Sequence, residues 1–279
     1  MLLIFMTVMS FQTVKASPTV HCAEDSVKVT EILAVINQKG GTLGERVVTA
    51  AQSLEGIPWG PSWQADSIGT LTVDLHKLDR LEFINTAMAL AFASQKAAPS
   101  FKDFETEYEK MSRRKGIDDG YASQLIYSSE WIVDNIHRGN LKEMTEYLTG
   151  GGFRTKTLDR LSRNRADYPA LKDSVTFDKI KMIEMGYRSH RIPHLKKQSI
   201  SNKQVHELLA EGDIIIMLAP DTDYDLYDIG IVDMKDGIPY LIHIPYDRES
   251  VVRDEITLPR RFKIDGQHFY GYRWLRPAE

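Results

Sequence analysis

Cysteine is almost absent: among 279 residues there is one, Cys22. A single thiol excludes an intramolecular disulfide and any multi-cysteine metal centre, and all cysteine chemistry has to run through that one residue. Charge of one sign is also lacking. Thirty-five Lys and Arg against 39 Asp and Glu leave a net charge of −4. No basic excess exists to hold nucleic acid or an anionic membrane surface. The apolar run from Met1 to Phe11 is too short to cross a bilayer. There is no internal repeat, low-complexity tract or clear domain boundary. Metal-ligand spacing is missing as well. His190, His194 and His206 have no nearby Cys or paired carboxylates. The acidic run Asp221, Asp223, Asp225 and Asp228 lacks the Gly and terminal Glu of a calcium loop and reads as a solvated turn. No metal and no cofactor are expected.

What is present is the composition of a soluble globular chain, 42% hydrophobic and 27% charged. The Met1–Phe11 run with small and polar residues after it resembles a secretory signal, with cleavage near Ala16 or Ala23. Residues 1–23 are therefore read as a leader and 24–279 as one domain in an exported, periplasmic protein. Cys22 is either a lipid-attachment site or an incidental thiol. Its preceding residues, Pro18-Thr19-Val20-His21, fit a lipid-attachment signal poorly.

The first half reads as helical. Val29, Ile32, Leu33 and Ile36 share one helical face, with Ser26 as the expected N-cap and Gly40-Gly41 as the stop. A second helix is expected from Leu43 to Leu54. Trp59 and Trp63 lie in a Pro/Gly-broken loop, where they either wall a cleft or pack inward. Thr70 to Phe92 is the organising stretch: an extended run, then an amphipathic helix with Leu81, Ile84, Met88 and Phe92 on one face. Phe101–Lys115 reads as a solvated helix, and Tyr121–His137 as a helix bearing Leu125, Trp131, Ile132 and Ile136. The second half reads as strands. Ile214–Leu218 is a buried strand. Leu226–Met234 and Ile238–Ile244 flank the hairpin signal Asp236-Gly237, and Phe262–Leu275 suggests a further strand pair turned near Asp265-Gly266. Helices followed by an antiparallel sheet indicate an α+β fold.

Several of these stretches, in order, carry a resemblance. They are Val73-Asp74-Leu75 to Leu78-Asp79 with Phe83, Asp119-Gly120-Tyr121-Ala122-Ser123 to Trp131-Ile132, and Tyr168-Pro169-Ala170-Leu171-Lys172. Arg191-Ile192-Pro193, Glu211-Gly212-Asp213-Ile214-Ile215, Asp228-Ile229-Gly230-Ile231-Val232 and Leu241-Ile242-His243 complete the set. Together, over roughly Ser26 to Arg276, the chain resembles the N-acetylmuramoyl-L-alanine amidase-like family of NlpC-type, papain-like cysteine hydrolases. The resemblance implies a helical half packed on an antiparallel papain-like sheet. It also implies cleavage of the amide between N-acetylmuramic acid and L-alanine in peptidoglycan. That chemistry needs a thiolate at a helix start, a histidine base and a polar group that orients the histidine.

Against this pattern the chain departs where the chemistry lies. Arg80 stands at the cysteine position and Asp228 at the histidine position; His243 remains as the third member. Gln124 and Ile126 replace Arg and His of relatives, and Asn85 replaces a Glu. A guanidinium stays protonated and cannot serve as nucleophile. The resemblance therefore implies a catalytically inactive relative, in which Arg80 and Asp228 form a charge-assisted, bidentate pair or Arg80 swings to solvent. His243 is a vestige of the site or a hydrogen-bonded core histidine. Trp59, Asp79, Glu82, Tyr121, Ser123, Gln124 and Tyr227 are the ligand-binding candidates, with peptidoglycan fragments or a cell-envelope protein as partner. Two other readings stand beside it. One is an active amidase or other peptidoglycan hydrolase using different residues, for which Glu82 and Glu130 are a conceivable carboxylate pair. The other is an interaction protein whose cleft Arg80 blocks.

Overall fold

The computed structural model describes residues 19–61, 70–148, 151–220 and 223–278. Met1–Phe11, Ala16, Trp63 and Asp221 lie outside them. Helices α1 (Ala23–Lys39), α2 (Leu43–Ser53), α3 (Arg80–Ala93), α4 (Phe101–Ser112) and α5 (Ser128–His137) come first. Two short strands, β1 (Leu141–Glu143) and β2 (Gly152–Lys156), lead to α6 (Arg160–Arg163) and α7 (Ser174–Gly186). The remainder is β3 (His190–Lys196), α8 (Lys203–Leu208), β4 (Ile214–Leu218), β5 (Asp228–Lys235), β6 (Ile238–His243), β7 (Val252–Arg253), α9 (Leu258–Asp265) and β8 (Gly271–Pro277). The strands form one sheet in the order β2-β3-β8-β4-β5-β6-β7, with β1 also on β8, and every strand pair in it is antiparallel.

The sheet is covered on both faces, which explains why β4 reads as a continuous apolar run and not an alternating one. Ile214, Ile216 and Leu218 point into the larger core with the residues of α1 to α4. Ile215 and Met217 point the other way, onto Trp274, Tyr272 and, from α9, Leu258 and Phe262. The turn between β5 and β6 has positive φ at both Asp236 and Gly237, the mirror-image turn whose twist suits a hairpin.

Helix α3 is the hub. It is not amphipathic: only Arg80, Leu81 and Phe92 keep partial exposure. Its alanines, Ala87, Ala89, Ala91 and Ala93, let α2 and α4 approach closely, while its far side meets β5. A helix apolar all round belongs in the interior. Its start is fixed by a reciprocal capping box, in which Glu82 N–H donates to Asp79 at 2.7 Å and Asp79 N–H donates to Glu82 at 3.1 Å.

Several expectations change. Cys22, not Ser26, caps α1. Helix α4 buries Phe104, Tyr108 and Met111 against α3, so only one of its faces is solvated. The Tyr121–His137 helix starts only at Ser128. Tyr121–Ser123 is a single 3-10 turn, and Gln124 is extended, bridged to Arg113. Phe262 lies in α9, whose first turn carries Pro259, so the segment 262–275 gives a helix and one strand in place of a strand pair. Because Phe83 is fully buried at the centre of this packing, Phe83→Ala should cost about 3–5 kcal/mol. Urea unfolding followed by circular dichroism would measure it, with a loss under about 1 kcal/mol contradicting the hub role.

Candidate functional site

The start of α3 faces the sheet where β5 begins and β6 ends, and three residues meet there. Arg80 is the first residue of α3, Asp228 the first of β5 and His243 the last of β6. Gly230 lies opposite His243 in the ladder, and a Cβ on it would come within 2.9 Å of the His243 Cβ. The glycine makes room for the Leu241 side chain and the His243 Cβ beside it. His243 Nδ1 is hydrogen-bonded to Asp228 Oδ2 at 2.7 Å, and its Nε2 lies 3.2 Å from Asp254 Oδ2. Asp254 in turn accepts two hydrogen bonds from Arg261, at 2.6 and 2.8 Å.

The Arg80 guanidinium closes the other end, its Nε 3.4 Å from Asp228 Oδ1. The expected bidentate fork is not formed. Asp228 Oδ2 is taken by His243 and Oδ1 accepts the Ile229 N–H, so Arg80 makes an ion pair without a hydrogen bond at Nε. Its plane lies instead over the Tyr246 ring, 3.8 Å from the centroid.

The result is a chain of alternating charge: Arg80, Asp228, His243, Asp254, Arg261. Burial alone would lower the His243 pKa, but the two flanking carboxylates outweigh it and raise it to about 9. His243 is therefore a buried cation at neutral pH. Burial pushes Asp254 up, yet its bonds to His243 and Arg261 leave it below the usual carboxylate value.

Arg80 also lines a cleft of about 370 Å³ with Trp59, Asp79, Tyr127, Arg160 and Tyr227. Trp59 is 43% exposed, a cleft wall and not a core residue. Its loop is pinned by Trp59 N–H to Glu249 O (2.7 Å) and Gly60 N–H to Leu78 O (3.2 Å). Tyr227 stacks on Tyr246 and on His268. Opposite, Lys156 Nζ holds the loop after β4 through the carbonyls of Ala219 and Tyr224, both at 2.6 Å, and Tyr224 stacks under Arg160.

Of the candidates, Trp59, Asp79 and Tyr227 line this cleft. Glu82 is buried in the capping box. Tyr121 packs in the satellite core around α7, Ser123 bonds back to Gly120 O, and Gln124 is 1% exposed; none of these lines the cleft. Glu82 and Glu130 are no carboxylate pair, because Glu130 is held by Arg114 away from the cleft lining. The described part of the acidic run is not a solvated turn: Asp225 is buried and accepts the Ser129 N–H, and Asp223 pairs with Arg163. Sequence reasoning missed Tyr246, Arg160, Asp254 and Arg261. Tyr246, in Ile-Pro-Tyr-Asp just after β6, was the available signal.

The three residues at the helix start have settled roles, while Asp79, Asp223, Asp225, Tyr127 and Ser128 also line the cleft. Arg80 cannot attack, Asp228 is committed to His243, and a histidine that stays protonated is no base at neutral pH. Ser128 lines the cleft with an unpartnered hydroxyl, but no histidine is among the described lining residues. Cys22 caps α1 and is not in the cleft.

The profile of the AmiA-like family, described as N-acetylmuramoyl-L-alanine amidase-like, matches residues 62–258, and the chain belongs to that family. The fold is similar to a crystal structure of an N-acetylmuramoyl-L-alanine amidase from Bacteroides uniformis. That match has a TM-score of 0.74 and 22% identity over 86% of this chain and 100% of the other. It is similar also to a Bacteroides fragilis protein with a provisional xylanase assignment (TM-score 0.70, 23% identity, 82% and 99% coverage). A Legionella pneumophila protein matches at TM-score 0.70 and 13% identity, over 92% and 95% of the two chains. No curated protein sequence matches.

Two outcomes follow. A His243 whose pKa rises from 6.5 to about 9 on folding contributes stability that is fully present below pH 6.5 and lost as pH climbs through about 9, on the order of 2–4 kcal/mol. Urea midpoints measured from pH 6 to 10 should fall for the native chain and stay flatter for His243→Gln. Asp228→Asn leaves Arg80 and His243 without their shared anion and should cost about 3–5 kcal/mol, read by the same unfolding assay.

Proposed function

We propose that the chain is a catalytically inactive, exported relative of the NlpC-type, papain-like amidases that binds peptidoglycan fragments in the cleft beside Arg80. One observation carries this reading: the helix start that faces the sheet holds Arg80, ion-paired to Asp228, while the sole cysteine is elsewhere. In papain-like chemistry that helix start holds the thiolate and the facing strands hold its histidine and the orienting group. Here the corresponding places carry a guanidinium, a carboxylate and an imidazole that is charged at neutral pH.

The cleft walls suit a sugar-peptide ligand. Trp59 offers an exposed flat face of the kind that packs on a sugar ring, the Tyr227 and Tyr246 stack lines the wall, and Arg160 offers a cation for a carboxylate. Arg80 lines the cleft without filling it, which favours binding over a blocked surface. Family membership favours the second reading, an active hydrolase using other residues, and one experiment separates them. Incubated with purified muropeptides, the chain should release no stem peptide. It should give saturable heat in calorimetric titration, weakened at least about tenfold by Tyr227→Ala. Released stem peptide would sink the inactive reading, and no binding heat would sink the ligand.

A further inference from the structure

We propose that Cys22, Asp25, Glu24 and His76 form a zinc site, distinct from the cleft, that clamps the chain's first described segment onto the loop leading into α3. The four side chains come from two places far apart in sequence: the N-terminus of α1 and the loop 74–76. One donor atom from each of Cys22, Asp25 and His76 lies within 4.8 Å of the others. Cys22 Sγ is 3.0 Å from Asp25 Oδ2 and 3.9 Å from Glu24 Oε2, and Glu24 Oε2 is 3.4 Å from His76 Nε2. Zinc bonds of roughly 2.0–2.3 Å in a tetrahedron set ligand-to-ligand edges of about 3.3–3.7 Å; Cys22, Asp25 and His76 form the close group, and Glu24 has to swing in as the fourth ligand. Cys22, Glu24 and His76 are exposed and free to move.

The second coordination layer is also in place. With His76 bound through Nε2, its Nδ1 lies 3.4 Å from Asp74 Oδ1, which also accepts the His76 backbone N–H, and 3.7 Å from Asp25 Oδ1, so a carboxylate stands ready to fix the tautomer. Asp25 is 3% exposed and anchored by the Leu75 N–H to Oδ1 (2.9 Å) and the Cys22 N–H to Oδ2 (3.1 Å). One ligand is thus rigid.

The alternative use of the same three groups is a nucleophile, base and orienter, and the local charge argues against it. Cys22 Sγ lies 3.0 Å from Asp25 Oδ2 and 3.9 Å from Glu24 Oε2, so a bare thiolate there would face two carboxylates. A divalent cation reverses that balance. It takes the place of the thiol proton between Sγ and Oδ2, and the proton leaves to solvent. Three carboxylates around one imidazole want a cation.

The position gives the site a consequence. Val20 pairs with the same loop through Val20 N–H to Leu71 O (2.8 Å) and Val73 N–H to Val20 O (2.9 Å). That loop runs on through Leu78 to the Asp79 cap and Arg80. A metal clamp at residue 76 would stiffen the approach to the cleft. It also requires that Cys22 remain in the mature chain without a lipid, so cleavage of a leader has to fall near Ala16 and not near Ala23.

The lone cysteine makes the test clean. The purified full chain, stripped with chelator, is titrated with Co2+ and then Zn2+. One equivalent of Co2+ should bind and give a thiolate-to-metal absorption band that Zn2+ abolishes. Zn2+ should slow the reaction of Cys22 with a thiol reagent at least about tenfold, and chelator should restore it. His76→Ala should weaken binding at least about tenfold, and Cys22→Ser should remove the band. Both residues are exposed, so these variants will fold. Thiol reactivity indifferent to Zn2+, or metal binding that survives both substitutions, would overturn the proposal, as would a mature chain in which mass spectrometry finds Cys22 removed or acylated.

Discussion

The buried run of charge from Arg80 to Arg261 is the constraint on which the rest of the structure depends. It starts on the helical hub, meets Asp228 and His243 where β5 begins and β6 ends, and finishes on α9 at the opposite face. It therefore ties together two cores that the sheet otherwise separates. The side chains of Asp228, His243 and Asp254 are at most 4% exposed. Such a network does not have to add net stability, since desolvation offsets much of the attraction. What it adds is uniqueness. Each carboxylate sits between two cations, so sliding β5 against β6 by one residue would strand a charge and turn His243 to the other face. Hydrophobic burial drives the layers together, and the charges fix how they register.

The cleft walls are held by a different set of bonds. The Trp59 loop hangs from Glu249 and Leu78, and the segments 219–220 and 223–227 from Lys156 and from Ser129 through Asp225. Only Arg80 belongs to both systems, and it joins them through one aromatic face, Tyr246. Binding and the charge run are thus separable: the walls need not move when the charges at the cleft end change. A fold organised this way can lose the chemistry at one end of its cleft and keep a surface shaped for a ligand.

Much of this was legible in the sequence where local chemistry decides. The buried strand β4, the Asp236-Gly237 hairpin and the α+β order follow from residue runs and turn residues. So did the meeting of Arg80, Asp228 and His243, because a family resemblance aligned them. What was not legible depended on tertiary contact. Gln124 carries no mark that it lies buried beside Arg113 and not in the cleft. Phe262 reads as a strand residue because its neighbours are apolar or basic in either conformation, and only Pro259 hinted at a helix start. Asp254 and Arg261 are seven apart, and nothing in that spacing says that they close on His243. The bidentate Arg80 geometry failed for a local reason: the Asp228 oxygens already had partners.

The pairing also bears on how such a site changes. On the proposed reading, a cation at the start of α3 meets the positive end of the helix dipole, a cost of roughly 0.3–1 kcal/mol. Asp79, Glu82 and Asp228 offset that cost. A thiol at position 80 with Asp228 still present would have a carboxylate beside it, which raises a thiol pKa and suppresses the thiolate. An imidazole at position 228 with Arg80 still present would lose the anion that both Arg80 and His243 use, leaving two cations in a buried space. Each single step is therefore worse than either end state, and the two positions are bound to change together. That coupling follows from the alternation of charge alone, which is why Arg80 and Asp228 carry more information as a pair than either residue carries by itself.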